Sequence, residues 1–305
     1  MRASVFEEFG GPEVLGVREV ERPVPGAGQV LVRVVAAGVN PLDGKIRAGR
    51  MREVFPTSLP AVPGQEFSGV VETVGEGVRG VAPGDEVLGW ALGGSWAQYT
   101  LTESWVPKPA SLDWAAAAAL PVATETASRV LGLLALAPGE TLLLHGAAGA
   151  VGTVAVQLAV AAGATVVGTA SPANHAYLRE LGAVPVAYGA GLVERVREVA
   201  PQGADAVFDA AGRGALPDSL ELLGGSTGRI VTIADTDAAT YGVTFSASRT
   251  GDPGPGLTEH ARRAAEGTLV LPVAREFPLE DAAEAAAESD AGHVRGKLVL
   301  RIAQA

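Results

Sequence analysis

The spacing of apolar positions changes near residue 110. Before it, short runs such as "QVLVRVVAAGV", "SGVVETVG" and "DEVLGW" are separated by Pro and Gly turns, which predicts a mostly antiparallel β domain. After it, apolar strands alternate with helical stretches: "TLLLH" precedes a predicted helix at about 151–162, "TVVGT" precedes one at about 173–181, and "DAVFDA", "GRIVTI" and "VTFSA" follow with helical or turn segments between them. That alternation implies a parallel sheet covered on both faces. "TGDPGPG" at 250–256 is the richest cluster of breakers and reads as a surface loop or boundary. The chain closes with an alanine-rich helix, "LEDAAEAAAES", and a strand, "GKLVLRI", which is expected to return to the first domain. The alternating unit is then an insertion.

Composition narrows the partners. With 305 residues and 48% hydrophobic content the chain can bury a large core, and two domains suit its length better than one. A net charge of -11 with no basic block argues against nucleic acid, whose sequence-independent binding rests on clustered Lys and Arg. Zero cysteines exclude disulfides, thiolate zinc sites, Fe–S clusters and Cys nucleophiles. His260 and His293 have no partner spacing that suggests a metal and are expected at the surface. "MRASVFEEFGG" lacks the apolar run of a signal peptide, and the most apolar window, about 153–170, divides into a helix and a strand rather than a membrane span. The expectation is a cytoplasmic protein without membrane or nucleic-acid partners.

The chemistry concentrates in "LLLHGAAGAVGTVAVQLA", residues 142–159, a strand, a run of tiny residues and a helix. Across Gly146, Ala147, Ala148, Gly149, Ala150, Val151 and Gly152, small side chains let backbone N–H groups at the helix start approach a pyrophosphate. Ala147 stands in the first glycine's place of a strict G-x-G-x-x-G, so the motif alone is equally compatible with close packing; the strands and helices downstream favour dinucleotide binding. An NAD site wants an acid about 20 residues beyond the glycines. From Thr153 through Arg179 there is none, and "GTASPANHAYLR" offers Ser171, Asn174, His175 and Arg179 instead. These suit the 2′-phosphate of NADPH, although Ser171 and Asn174 are also ordinary helix caps.

Taken in order, "FGGPEVL" at 9–15, "AAGVNPLDGKIRAG" at 36–49, "VPGQEFSGVV" at 62–71, "GDEVLG" at 84–89, "LPVATETA" at 120–127, "HGAAGAVG" at 145–152 and "HVRGKLVL" at 293–300 resemble the zinc-independent medium-chain dehydrogenases/reductases, in the quinone oxidoreductase branch related to zeta-crystallin. The resemblance implies an α/β protein: a GroES-like β-rich catalytic domain from residues 1–120 and 258–305, and an inserted Rossmann domain over 121–257 that binds NADPH, with reduction in the cleft between them. It also implies that Thr124 and Thr126 lie near the nicotinamide, that Tyr188 flanks the adenosine phosphate, and that Arg295 and Lys297 of the last motif serve the cofactor.

The departures from zinc-using relatives bear on the reaction. In "VNPLD" Asn40 stands about where an alcohol dehydrogenase places a cysteine ligand, and in "GQEFSG" Gln65 replaces a histidine, so no metal site is expected. A short-chain dehydrogenase is excluded, because none of Tyr99, Tyr177, Tyr188 and Tyr241 has a lysine four residues later. What remains is hydride delivery to a quinone or an α,β-unsaturated carbonyl. Negative charge then grows on the substrate oxygen, so donors are needed: Asn40 and Lys45 are the candidates, with Asp43 orienting Lys45 or a water, though "NP" and "DG" are also common turn pairs. Trp90 and Trp96 suit either a substrate wall or core packing. An ene reductase of enoyl-thioesters or polyketide intermediates, and a redox-silent NADPH-binding protein, are the alternatives on the same scaffold. The segment "GVTFSA" at 242–247 reads as an edge strand, from which a homodimer through the cofactor domains is expected.

Overall fold

The computed structural model describes residues 1–247 and 251–303. Chain contacts divide into two units, Met1–Val122 with Gly251–Ala305, and Ala123–Thr250.

The first unit is built on β1 (Arg2–Val5), β2 (Gly16–Glu19), β3 (Val30–Val39), α1 (Pro41–Arg47), β4 (Glu66–Val74), β5 (Glu86–Leu92) and β6 (Tyr99–Pro107). Helix α2 (Trp114–Leu133) carries the chain onward. The ten-residue β3 organises the unit. One edge pairs with β4 from Val30 to Ala37, and the other takes β6 opposite Val30–Arg33. Nine of its residues are buried, which is why "VLVRVVAAGV" reads as a nearly unbroken apolar run instead of an alternating one. Val32, Val34, Phe67, Val87 and Trp96 meet in its core; burying an aliphatic side chain of this size is worth about 1.5–3 kcal/mol.

In the second unit, β7 (Thr141–His145), α3 (Ala150–Ala161), β8 (Thr165–Ala170), α4 (His175–Glu180), β9 (Val184–Ala187), α5 (Leu192–Val199), β10 (Ala206–Asp209), α6 (Leu216–Leu222), β11 (Ile230–Thr232) and β12 (Thr244–Phe245) alternate. The sheet order is β12-β11-β10-β7-β8-β9, with every pairing parallel. This is the doubly wound arrangement expected. The order reverses between β7 and β10, and a crevice opens at the carboxyl ends of strands at such a switch. Leu143, Val167, Val207 and Ile230 from four adjacent strands pack as one core row with Val196 and Leu216 of the covering helices.

The remainder, α7 (Gly254–Ala265), β13 (Val273–Pro278), α8 (Ala282–Ala291) and β14 (Lys297–Arg301), belongs to the first unit. β14 pairs antiparallel with β3 over Val39–Ala36, beside the stretch taken by β6. Here β-rich sheet and returning C-terminal strand agree with the GroES-like expectation.

Several local expectations are corrected. The breaker cluster at 250–256 is not all loop: α7 starts at Gly254 with Pro255 in its first turn, where a missing N–H costs nothing. Residue 250 lies outside the described residues. The edge strand expected over 242–247 is only Thr244–Phe245. The helix expected from 173 opens as a 3-10 turn, Pro172–Asn174, before α4. His260 is half-buried, not a surface residue, and burial pushes its pKa down. Trp96 is 1% exposed and donates its indole N–H to the Gly38 carbonyl at 3.1 Å, and Trp90 is buried, so both are packing residues. Among the described residues no helix is long and apolar enough to cross a membrane.

Candidate active site

The strand-to-helix turn after β7 has the geometry of an anion cradle. Gly146 adopts φ +72, a left-handed conformation that costs glycine little. Gly149 is the N-cap of α3 and offers no side chain to cap it, while the first intrahelical bond runs from the Thr153 N–H to the Gly149 carbonyl. The N–H groups of Ala150, Val151 and Gly152 therefore open the helix without a capping side chain, at the positive end of its dipole. A Cβ at Gly152 would lie 2.3 Å from the Gly146 carbonyl oxygen and 2.7 Å from the Ala147 Cα, so only glycine lets α3 approach the turn this closely. The turn is tied to β8 twice: the Ala147 N–H donates to the Thr169 carbonyl at 3.1 Å, and the Gly146 N–H to the Thr169 hydroxyl at 3.3 Å.

At the end of β8 no carboxylate follows Ala170. Asn174 Nδ2 donates to Ser171 Oγ at 3.3 Å, and neither side chain caps the helix that follows. His175 is half-buried, and its Nε2 is a buried polar atom with no partner within the protein. A buried ring nitrogen without a partner is costly, and in its N–H form this one suits an anion that arrives with a ligand. An uncapped helix start, a glycine-only approach and an orphaned imidazole nitrogen together fit a dinucleotide carrying a 2′-phosphate. Arg179 lies exposed on α4, and Tyr188, just past β9, is 52% exposed.

A second cluster lies in the first unit. Asn40, at the end of β3, precedes Pro41 and α1; its backbone N–H donates to Asp43 Oδ2 at 2.8 Å, the reciprocal half of a capping box. Its amide Nδ2 donates to Glu66 Oε1 at 2.9 Å, and its Oδ1 accepts from Lys297 Nζ at 2.5 Å. Lys297 also pairs with Glu66 Oε1 at 2.5 Å, and Glu66 Oε2 accepts the Val122 N–H at 2.7 Å. Glu66 and Lys297 are 0% and 2% exposed, so this is a fully desolvated ion pair whose remaining lone pairs are satisfied by amides. A Cβ at Gly38 would overlap the Glu66 side chain, so glycine on β3 makes room for it. Asp43 is buried, and desolvation pushes its carboxyl up to about 6 despite the Asn40 N–H, the Lys297 charge and the Gln65 amide, which donates to its Oδ1 at 3.3 Å.

The structure thus brings Asn40, Asp43 and Lys297 into one network, with Lys45 half-buried on α1. Lys297, read from the sequence as a cofactor residue, has its ammonium committed to Glu66 and Asn40; Arg295, two residues earlier, is exposed. Thr124 and Thr126 are both buried in α2, with Thr126 Oγ1 within 3.4 Å of Glu125 Oε2. The donor set at Asn40, Gln65 and Glu66 does not fit zinc. The amides are engaged, the carboxylate already has its cation in Lys297, and among the described residues no group of three or more His, Cys, Asp and Glu converges on a point. Glu66 was missed by sequence reasoning. The available signal was an acid in the apolar run "GQEFSGVV", which needs a buried partner.

Comparison with known proteins extends these observations. Residues 26–110 match the alcohol dehydrogenase GroES-like domain family, and residues 181–300 match a family described as zinc-binding dehydrogenase. An NADPH-dependent alkenal/one oxidoreductase of Arabidopsis thaliana is 33% identical over 98% of this chain and 79% of its own length. A quinone oxidoreductase of Rattus norvegicus is 33% identical over 98% of this chain and 96% of its own. The crystal structure of Escherichia coli quinone oxidoreductase complexed with NADPH superposes with a TM-score of 0.87 at 27% identity, covering 99% of this chain and 100% of that one.

Proposed function

This chain belongs to the quinone oxidoreductase family of the medium-chain dehydrogenases/reductases, and we propose that it is an NADPH-dependent oxidoreductase acting on a quinone or an α,β-unsaturated carbonyl, without zinc, as a cytoplasmic homodimer. The observation that carries the cofactor choice is the end of β8: no carboxylate there repels a 2′-phosphate, and a buried His175 Nε2 without a protein partner is available to meet one.

Bound NADPH supplies the hydride. The uncapped N–H groups of Ala150, Val151 and Gly152 hold the pyrophosphate, with Gly146, Ala147, Ala148 and Gly149 shaping the approach. Ser171, Asn174 and His175 take the 2′-phosphate, and exposed Tyr188 flanks the adenosine side. Thr124 and Thr126 serve the nicotinamide end, and Arg295 is a further candidate for the cofactor. In the first unit, Asn40 Nδ2 spends one of its two hydrogens on Glu66 and keeps the other for a substrate oxygen on which charge develops. Lys45 is the second donor. The Glu66–Lys297 pair fixes the Asn40 amide from both of its ends, so the donor is held before substrate arrives. Asp43 retains its proton up to about pH 6, and the proton that completes reduction comes from solvent.

The test is a screen of NADPH oxidation across quinones, enones, alkenals and enoyl-thioesters with excess chelator present. Turnover of a quinone or enone is expected. Turnover confined to enoyl-thioesters would assign the scaffold to the ene reductases of thioesters, and binding of NADPH without turnover of any acceptor would make the protein redox-silent.

A further inference from the structure

His145, the last residue of β7, is 1% exposed and stands immediately before the Gly146 turn, with both ring nitrogens in contact with a hydroxyl. Nε2 lies 2.9 Å from Ser219 Oγ on α6, and Nδ1 lies 3.4 Å from Thr169 Oγ1 on β8. The protons on this chain can be placed by elimination. Ser219 Oγ lies 2.7 Å from the Ala215 carbonyl, which can only accept, so the serine hydroxyl donates there and its lone pair faces the ring. Nε2 must then carry the ring proton. Nδ1 is left an acceptor, and it receives the Thr169 hydroxyl, whose own lone pair takes the Gly146 N–H at 3.3 Å. The opposite tautomer would leave Ser219 Oγ facing either a carbonyl or a ring nitrogen with no proton between them, and would turn the Thr169 hydroxyl away from Nδ1.

We propose that His145 is a positioning residue: as its neutral Nε2–H tautomer it orients Thr169, and through Thr169 the first amide of the dinucleotide turn, so that affinity for NADPH depends on this ring remaining uncharged. The inference rests on the NADPH reading above only for its consequence in binding; the proton chain itself is a property of the free protein. A charged ring would donate from Nδ1 as well and force the Thr169 hydroxyl to turn its proton away, so that one oxygen accepts from both the ring and the Gly146 N–H and holds that amide less well. The groups that face the ring oppose one another. Burial among β7, β8 and α6 lowers its pKa, while Asp209 at the end of β10 and Asp218 on α6 raise it; burial is the larger effect, so the ring is neutral at pH 7. Asp209 is itself held by the Ala211 and Gly212 N–H groups and the Thr232 hydroxyl, which stabilise its negative charge without placing a proton near His145.

With four histidines in the chain, nitrogen-labelled histidine resolves each ring in the ligand-free protein. His145 is expected as the Nε2–H tautomer, and the Gly146 amide resonance is expected to move in step with its protonation as pH falls. Thr169→Val should raise the NADPH dissociation constant about tenfold, the scale of one lost hydrogen bond to a buried donor, with kcat nearly unchanged, whereas Thr169→Ser should retain wild-type affinity. His145→Asn, which preserves an acceptor for Thr169 and does not titrate, should remove the acid limb from NADPH binding. An Nδ1–H tautomer, a Gly146 amide indifferent to His145 protonation, Thr169→Val binding as wild type, or an acid limb that persists in His145→Asn would each overturn the proposal. Wild-type protein that binds no NADPH while showing the expected tautomer and Gly146 response would instead refute the cofactor reading and leave the proton chain standing.

Discussion

Asp43 shows how one residue's surroundings reverse its usual behaviour. Its carboxyl is raised from 3.8 to about 6 by desolvation, so between those values the folded chain holds a proton that the unfolded chain has released. Stability attributed to this group is complete below pH 3.8 and is lost as pH rises through 6, an effect on the order of 3 kcal/mol at 1.36 kcal/mol per unit. Asp43→Asn cannot titrate, so its stability relative to wild type should improve by that order between pH 4 and pH 7, read from urea midpoints at each pH. A difference that is flat across the window would show that Asp43 is solvated. Ala170, 5% exposed at the end of β8, tests the other site. Ala170→Asp puts a carboxylate where an NAD site has one and should lower kcat/KM with NADPH by about tenfold or more, shifting preference toward NADH. These residue types were legible in the sequence because they stand in local patterns, an N-P-x-D turn and a carboxylate-free strand end. Their partners were not: Glu66 reaches Asn40 from β4, 26 positions on, and Lys297 only after β14 returns to β3, 257 positions along the chain, contacts that no local spacing announces.

At the scale of elements, the helices and strands of the second unit followed from apolar period and Gly–Pro punctuation, since each βα pair is a local event. Element ends were harder to read. Pro255 looked like a breaker but serves as a helix start, and the strand expected across 242–247 shrank to two residues because only Val231 and Thr232 offer it a partner. The ion pair joining β4 to β14 is the clearest energetic link between distant elements. Lys297→Met alone leaves Glu66 charged and buried, which should cost about 3–5 kcal/mol of unfolding free energy, whereas Glu66→Gln with Lys297→Met should recover most of it, because replacing both buried charges is often nearly neutral. Equal loss in the single and double variants, measured by chemical denaturation, would mean that the pair is not the source of the cost.

At the scale of the molecule, β6 closes back onto β3 in the first unit, whereas the parallel sheet of the second unit is open, with β12 as an outer strand. Phe245 N–H faces away from β11, since its neighbour Ser246 donates inward to the Thr232 carbonyl and alternate residues along a strand point to opposite edges. An unpaired edge of this kind invites the same edge of a second chain. Light scattering at micromolar concentration should give twice the 30.8 kDa chain mass; a strictly monomeric mass would remove the homodimer. The two-unit plan itself was legible because the change of rhythm near residue 110 and the returning "GKLVLRI" are long-range features of pattern. Chemistry followed less directly, since sites are grafted onto folds and one scaffold serves several acceptors.

The claim that joins these scales is NADPH-dependent reduction of a conjugated carbonyl or quinone, and kcat/KM measured for NADPH and NADH against the same quinone or enone in the presence of chelator tests it most directly. The account predicts metal-independent turnover with NADPH favoured by at least about tenfold, the worth of one charge-assisted phosphate contact. Equal use of the two cofactors, a preference for NADH, or activity that disappears with chelation would contradict it.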